Sequence, residues 1–230
     1  MNGSIKAVLF DLDDTLYDES TFVASGFRTV AAHLADRFGV DKQEAFSAMM
    51  AVLTTEGRGK VFDQVLERYG LYSSQLVAEL VNMYRSHLPE ISLYPDVRPT
   101  FQALREYGAR LGIITDGLHV VQKRKVAALG LQDLVDIMVY TDELGQEYWK
   151  PRSAAFQRAV VMLGVQPGEA VYVGNDPAKD FAGPNSIGMF TIHLCRNGIP
   201  EESDCEANAH IGTLTQIMWI IIGRERNYFA

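Results

Sequence analysis

KAVLFDLDDT, residues 6–15, is the stretch of sequence that decides the fold. Its first half, Lys6 to Phe10, is a short apolar run that stops abruptly at the acidic cluster Asp11-Leu12-Asp13-Asp14. An apolar run that ends in this way is typical of a buried strand followed by a polar loop. We therefore expect reactive groups at the point where this strand ends.

The composition limits the classes of protein to which the chain can belong. The chain has 230 residues, of which 47% are hydrophobic, and a net charge of −8. The apolar content suffices for the core of a globular protein. The negative charge argues against nucleic acids and anionic membranes, which bind clustered Lys and Arg. The closest approach to a membrane span, Ile217 to Ile222, is far too short. We therefore expect no nucleic-acid and no membrane partner.

Cysteine usage and the first residues of the chain predict a cytoplasmic location. Cys195 and Cys205 are too few for a disulfide scaffold. Nothing before Val8 resembles an export signal. We therefore expect thiols rather than a disulfide.

A long helical segment follows the first strand. From about Ser20 to Leu88 the apolar residues recur with helical periodicity. The first stripe of this kind contains Phe22, Phe27, Val30, Leu34 and Phe38. Glycines and a proline interrupt the pattern at plausible helix ends. We assign residues 17–94 to an all-helical domain.

After Pro95 the pattern changes to alternating helices and strands. The predicted elements are helix 97–107, strand 110–115, helix 118–129, strand 137–140, helix 153–163, strand 170–174, strand 189–194, a short apolar piece near 209–211 and a closing helix. Continuous apolar strands separated by helices indicate right-handed crossovers and a parallel sheet covered on both faces. The sequence therefore predicts an α/β fold with a doubly wound parallel sheet, formed by residues 1–16 and 95–230.

Polar residues follow the predicted strands, where ligands bind in sheets of this kind. They are Asp11 and Asp13 after the first strand, Thr115 and Asp116 after the second, Lys150 after the third, and Asn175, Asp176 and Asp180 after the fourth. Each group alone also fits an ordinary loop or helix cap. Together they indicate a site at one edge of the sheet.

These residue types suit the binding of a phosphate group and a hard cation. Two carboxylates that leave one strand end together, Asp11 and Asp13, repel each other unless a cation relieves the repulsion. Mg²⁺ is the natural candidate, because it prefers oxygen ligands and shares them with phosphate. The hydroxyl of Thr115 and the backbone amide of Asp116 can donate to a phosphoryl oxygen, and Lys150 can offset its charge.

The four motifs, in this order, resemble those of the haloacid dehalogenase-like hydrolase superfamily. DLDDT at 11–15 is similar to the first motif, Thr115 to the second, Lys150 in WKP to the third and GNDPAKD at 174–180 to the fourth. The resemblance covers the whole chain. It implies a Rossmann-like core, a helical cap domain inserted after the first motif, and Mg²⁺ as the cofactor.

The resemblance also implies a role for each motif residue. Asp11 is the expected nucleophile, which forms an aspartyl-phosphate. Asp13 is expected to protonate the leaving alcohol and then to deprotonate water. Thr115 and Lys150 are expected to hold the phosphoryl oxygens, and Lys150 also to orient Asp11. Asp180 is expected to orient Lys150 or a metal-bound water.

The metal ligands implied by the resemblance include one alternative. Asp11 contributes its carboxylate, Asp13 its backbone carbonyl, and the fourth motif an acidic group. This sequence departs from the common family pattern, because Asn175 follows the glycine where an Asp often stands, and Asp176 comes next. A carboxylate offsets the charge of a metal better than an amide does, which favours Asp176 and leaves Asn175 as the alternative.

The function expected from the resemblance is the magnesium-dependent hydrolysis of small-molecule phosphate monoesters. Phosphomutases and haloacid dehalogenases share the fold, and a non-catalytic binding module is a further alternative. A dehalogenase needs neither a metal nor an acid such as Asp13, because halide leaves unprotonated. A mutase differs mainly in its cap. The sequence leaves open the substrate and the choice between monomer and homodimer.

The helical insertion contains several candidate substrate contacts. Caps of this family exclude water and select substrates. The polar and aromatic candidates are Tyr17, Glu19, Phe22, Arg58 and Lys60. Each of them also fits a position in a helical core or on a solvated surface.

Overall fold

The structure, a computed structural model, describes residues 4–196, 198 and 205–226. The chain divides into two compact units. One contains the residues up to Asp18 and those from Ser92 onward, and the other is Glu19–Ile91. The first is an α/β unit, and the second is all-helical.

A six-stranded sheet lies at the centre of the α/β unit. Its strands are β1 (Ala7–Phe10), β2 (Arg110–Thr115), β3 (Ile137–Tyr140), β4 (Ala170–Gly174), β5 (Phe190–Leu194) and β6 (Ala209–Ile211). Their order is β3-β2-β1-β4-β5-β6, and every pair is parallel. The strand order reverses at β1, which pairs with both β2 and β4. The predicted doubly wound parallel sheet is confirmed.

The register of the sheet places the predicted site residues at one edge. Every residue of β1 and β4 is buried, which explains why both strands are apolar throughout instead of alternating. Phe10 lies beside Ile113 of β2 and Val173 of β4. The backbone N–H of Asp11 still donates to the carbonyl of Val173, at 2.9 Å. The loops that follow these three strands therefore begin side by side.

The helical unit consists of four α-helices connected by short segments. They are α1 (Glu19–Phe38), α2 (Lys42–Glu56), α3 (Val61–Arg68) and α4 (Ser74–Ser86). The side chain of Asp41 caps α2 by accepting from the N–H of Glu44, and Ser73 caps α4 in the same way. The buried residues of its core include Phe27, Val30, Leu34, Met49, Phe62, Leu66 and Leu80. The helical unit is shorter than the interval 17–94 assigned from the sequence. The residues up to Asp18, Tyr17 among them, and those from Ser92 onward belong to the α/β unit.

The helices of the α/β unit follow the predicted pattern, with one addition. They are α5 (Val97–Tyr107), α6 (His119–Leu129), α7 (Ala154–Leu163), α8 (Ala182–Ser186) and α9 (Ile217–Arg226). The sequence did not predict α8, since its few residues include a glycine and a proline, which are typical of turns. The apolar run that begins at Ile217 is part of α9, where Ile217 and Ile221 are fully buried. Among the helices of the described ranges, none combines the length and the apolar character needed to cross a membrane.

Candidate active site

Asp11 is buried directly after β1, with only 2% of the residue exposed. Its Oδ1 accepts a hydrogen bond from Nζ of Lys150, at 2.6 Å. Its Oδ2 is buried and has no hydrogen-bond partner among the described residues. Burial raises the pKa of the Asp11 carboxyl to about 7, although the Lys150 ammonium acts in the opposite direction. One oxygen is thus fixed, and the other is left for a cation or an electrophile.

Lys150 is the centre of a buried ionic cluster. Its side chain is fully buried, and Nζ donates to Oδ1 of Asp11, to Oδ1 of Asp180 at 2.8 Å and to the hydroxyl of Tyr172 at 3.1 Å. These contacts use all three N–H donors of the ammonium group. Burial acts to lower the pKa of Lys150, but the charges of Asp11 and Asp180 have the larger effect. They hold the pKa of Lys150 well above its usual value. Lys150 is therefore charged and held on three sides.

Asp180 closes the loop that follows β4. Its Oδ2 accepts from the backbone N–H groups of Asn175, at 3.1 Å, and Asp176, at 2.9 Å, and its Oδ1 also accepts from the Tyr172 hydroxyl. A Cβ at Gly174 would collide with this carboxylate, so only glycine lets the loop approach so closely. Burial acts to raise the pKa of Asp180, but Lys150 lowers it below its usual value.

Three donors hold the carboxylate of Asp13. Lys125 Nζ lies 2.7 Å and the Tyr17 hydroxyl 2.5 Å from Oδ1, while Gln122 Nε2 donates to Oδ2 at 2.9 Å. Burial acts to raise the pKa of Asp13, but the charge and the hydrogen bond of Lys125, followed by the two other donors, lower it below the usual value. Both oxygens accept hydrogen bonds, an arrangement that favours the ionised form.

Thr115 and Asp116 form the loop after β2. The hydroxyl of Thr115 accepts a hydrogen bond from Gln122 Nε2 at 2.6 Å and donates to the backbone carbonyl of Asp116 at 3.5 Å. The Asp116 carboxylate accepts from the hydroxyl of Thr141 at 2.7 Å and from the backbone N–H of Lys150 at 3.3 Å. The side chain of Asp116 thereby links the loop after β2 to the segment that contains Lys150.

Asn175 and Asp176 have different surroundings. The amide Oδ1 of Asn175 accepts from the hydroxyl of Thr15, at 3.2 Å, so its side chain faces the loop that contains Asp11. The carboxylate of Asp176 accepts from the backbone N–H of Ala178 and lies 3.8 Å from Lys179, with 41% of the side chain exposed. Asn175 is thus connected to the loop after β1, whereas the carboxylate of Asp176 caps its own turn.

The predicted site residues of the α/β unit form one connected group. Asp11 and Asp180 both contact Lys150, while Asp13 and Thr115 are joined through Gln122. Asp116, next to Thr115, connects the two sets by accepting from the backbone N–H of Lys150. The exception is the side chain of Asp176, for which the structure gives local contacts within its own turn.

Most of the candidate contacts predicted in the helical insertion have partners close to them in the chain or within their own unit. Glu19 and Arg58 form a two-bond ion pair, at 2.5 and 3.1 Å. Phe22 is buried against Tyr84, and Lys60 is exposed. The hydroxyl of Tyr17 donates to Asp13.

Three residues of the site were not singled out from the sequence, namely Gln122, Lys125 and Tyr172. Gln122 and Lys125 are three positions apart on α6 and are both buried, at 2% and 3% exposure. Lys125 shares the buried face of α6 with Val126 and Leu129, and a lysine among apolar residues is the signal that could have indicated a partner carboxylate. Tyr172 places a hydroxyl in the otherwise apolar strand β4, which is a weaker signal.

Comparison with known proteins points to one family. The sequence profile of the family described as "Haloacid dehalogenase-like hydrolase" matches residues 8–194, an interval that includes all four motifs. The chain is 37% identical to a glyceraldehyde 3-phosphate phosphatase of Methanopyrus kandleri, over 84% of each chain. It is 33% identical to a ribulose-1,5-bisphosphate 5-phosphatase of Halopiger xanaduensis, over 88% of this chain and 89% of the relative.

A solved structure shows the same fold over nearly the whole length. The crystal structure of a HAD phosphatase from Thermococcus onnurineus superimposes with a TM-score of 0.65 and 30% sequence identity, covering 94% of this chain and 98% of that one. The family that the four motifs predicted is confirmed by the profile and by the sequence relatives. The chain belongs to the haloacid dehalogenase-like hydrolase family.

Proposed function

We propose that the protein is a magnesium-dependent phosphatase that hydrolyses phosphate monoesters of small sugars through an aspartyl-phosphate on Asp11. The observation that carries the proposal is the state of Asp11, which has one oxygen fixed by Lys150 and a second, buried oxygen without a described partner. The relatives named above support the substrate class, since both are named as phosphatases of phosphorylated sugars.

In the first step Oδ2 of Asp11 attacks phosphorus, and the bond to the leaving alcohol breaks. The hydrogen bond from Lys150 to Oδ1 holds the carboxylate in one orientation. Since all three donors of Lys150 are engaged, we assign it this orienting role and the offsetting of charge. The hydroxyl of Thr115 and the backbone N–H of Asp116 are the groups that we assign to the phosphoryl oxygens.

Asp13 transfers the proton in each half of the reaction. Its carboxylate form, held by Lys125, Tyr17 and Gln122, is the base that takes a proton from water. That water attacks phosphorus, and the bond from phosphorus to Asp11 breaks. In the first half of the reaction, in which the leaving alcohol departs, Asp13 has to be protonated before it can give a proton to the leaving oxygen.

The donor set fits a hard divalent cation. The groups that would hold Mg²⁺ are the Asp11 carboxylate, the Asp13 backbone carbonyl and one side chain after β4. We assign the last position to Asn175, because its side chain faces the loop after β1, whereas Asp176 caps its own turn. When bound, the ion would neutralise the phosphoryl oxygens and keep Asp11 ionised.

We further propose that the helical unit is the cap domain of this family member. It is inserted in the chain directly after the first motif, and it has its own hydrophobic core. In this role it would select substrates and exclude water.

The test of the proposed function is phosphate release from glyceraldehyde 3-phosphate, ribulose 1,5-bisphosphate and a generic aryl phosphate, with Mg²⁺ and after chelation. We expect release that stops on chelation and returns with Mg²⁺. Asn175→Ala should raise the Mg²⁺ concentration for half-maximal rate by more than Asp176→Ala does. The absence of phosphate release from all three esters would contradict the proposal, and halide release from a chlorinated acid would replace it with a dehalogenase.

Removing the cation beside Asp13 tests the assigned proton transfer. Lys125→Met should lower kcat by about 10- to 100-fold, a part of the 10²–10⁴ that acid–base catalysis contributes. The reason is that Asp13 loses one of the donors that fix its carboxylate. KM for the aryl phosphate should change little, since Lys125 has no assigned contact with substrate.

Lys123→Met is the matched control, because Lys123 is exposed on the same helix. It should leave kcat unchanged, and Lys125→Arg should recover part of the loss. A Lys125→Met enzyme with the kcat of wild type would show that Asp13 needs no such positioning.

A further inference from the structure

Two histidines and a cysteine meet at the ends of β5 and β6. His193 pairs with His210 in the parallel register of these strands, so both imidazoles project from the same face of the sheet. Cys195 follows His193 by two positions and projects to that face as well. The two rings lie 5.4 Å apart between centroids. One ring nitrogen of each histidine and Sγ of Cys195 all lie within 4.8 Å of one another.

Both imidazoles present a buried nitrogen that no described group satisfies. His193 Nε2 lies 3.1 Å from the backbone carbonyl of Asn175, an acceptor, so the ring proton is assigned to Nε2. Nδ1 of His193 is then a buried lone pair without a hydrogen-bond partner in the described ranges, and Nδ1 of His210 is in the same situation. His193 is only 8% exposed. A histidine whose second nitrogen donates to a backbone carbonyl has the arrangement typical of metal ligands.

A second thiol lies close to this cluster. Burial raises the pKa of the Cys195 thiol, and the neighbouring Cys205 raises it further by its charge. Cys205 follows β5 and precedes β6, so it can approach the cluster from the connection between them. The structure therefore brings two imidazoles and the Cys195 thiol within 4.8 Å of one another, with the Cys205 thiol near enough to act on Cys195 through its charge.

We propose that His193, Cys195 and His210, with Cys205 as the fourth ligand, form a structural zinc site. Two imidazoles and two thiolates are a typical tetrahedral ligand set for Zn²⁺. The ligand atoms of such a site lie about 3.4–3.8 Å apart, so shifts of about 1 Å would bring those of His193, Cys195 and His210 around the ion. Cys205 would approach from outside that distance to complete the set. A cavity of about 510 Å³, lined by Asn175, His193 and Cys195 among others, lies beside the cluster.

The zinc site is chemically distinct from the proposed magnesium site. The magnesium site offers oxygen donors, while this cluster offers nitrogen and sulfur, which Mg²⁺ does not favour. Asn175 contacts both sites, since its backbone carbonyl accepts from His193 and its side chain faces the loop after β1. Bound zinc would cross-link β5, β6 and their connection, and would thereby support the loop that contains Asn175.

The test measures zinc retained by the reduced full-length protein. The protein is mixed with Zn²⁺ in excess Mg²⁺, freed of unbound metal by gel filtration and analysed for metal content. We expect one zinc per chain in wild type and in Asp11→Asn, which removes a proposed magnesium ligand. We expect no retained zinc in His210→Gln or Cys195→Ala. His33→Gln, at a histidine of the helical unit, is the matched control and should retain zinc.

A second readout keeps the test valid if a variant folds poorly. Zinc should raise the Tm of wild type by several degrees, because it binds the folded state, and should not change the Tm of His210→Gln. Cys205→Ser should lose zinc to a competing chelator at least tenfold more readily than wild type, and equal retention would overturn the fourth ligand. The proposal fails if wild type retains no zinc, if Asp11→Asn loses it, or if the mass of the unreduced protein shows a disulfide.

Discussion

Asp11→Asn should lower the rate of phosphate release by on the order of 10³-fold or more, in line with the loss of other catalytic nucleophiles. An amide has nearly the shape of the carboxylate, but it cannot form the acyl-phosphate bond. The lost atom is Oδ2, the buried oxygen for which the described residues supply no hydrogen bond. The measurement is kcat with an aryl phosphate, combined with acid quenching of labelled substrate to detect phosphoprotein.

Asp14→Asn is the matched control for this prediction. Asp14 is exposed in the same loop and has a φ of 54°, a conformation that asparagine tolerates well. The Asp14→Asn enzyme should keep the wild-type rate of phosphate release and should still form the labelled phosphoprotein. Label on the Asp11→Asn protein, or more than about a tenth of the wild-type rate, would show that another group is the nucleophile.

The sequence predicted the sheet and the position of the site, because both follow from local pattern and parallel topology. Apolar runs identified β1, β2 and β4, and parallel strands bring their carboxyl ends to one edge. Asp11 and Lys150 could therefore be assigned to one site although 139 positions separate them. Their distance of 2.6 Å could not be derived, since it depends on the path of the loop before Pro151.

The surroundings of Asp13 could not be predicted, since they depend on tertiary contacts. Gln122 and Lys125 belong to a helix whose sequence shows no specific partner for either of them. Tyr17 was assigned to the helical insertion as a candidate substrate contact, but the left-handed conformation of Asp14 turns the chain back and brings its hydroxyl to Asp13. Aspartate is enriched at positive φ, but the run Asp11-Leu12-Asp13-Asp14 does not show which aspartate adopts this conformation.

The choice between Asn175 and Asp176 shows a second limit of sequence reasoning. Charge alone favours Asp176, because a carboxylate offsets a metal charge better than an amide does. The direction of each side chain depends on how Asp180 closes the loop, since its Oδ2 binds both backbone N–H groups. The structure directs the Asn175 side chain to Thr15 and leaves the Asp176 carboxylate on its own turn.

Lys150→Met should lower the free energy of unfolding by about 3–5 kcal/mol, the cost typical of breaking a buried ion pair from one side. Methionine fills most of the volume, but it leaves the carboxylates of Asp11 and Asp180 buried without their cation. The measurement is urea unfolding in the presence of a chelator. Lys6→Met is the matched control, since Lys6 forms an exposed ion pair with Glu169 at a similar 2.7 Å, and it should cause no measurable change.

A second substitution shows whether Lys150→Met loses stability through unpaired charge or through a packing defect. If the cost comes from two unpaired carboxylates, Asp180→Asn should recover part of the lost stability in the Lys150→Met background. In the wild-type background the same Asp180→Asn should destabilise, because it removes a charged acceptor from both Lys150 and Tyr172. This opposite sign is the signature of coupling through charge. Equal effects in the two backgrounds would show that Lys150 contributes by its volume, and its role in holding Asp11 would then need another explanation.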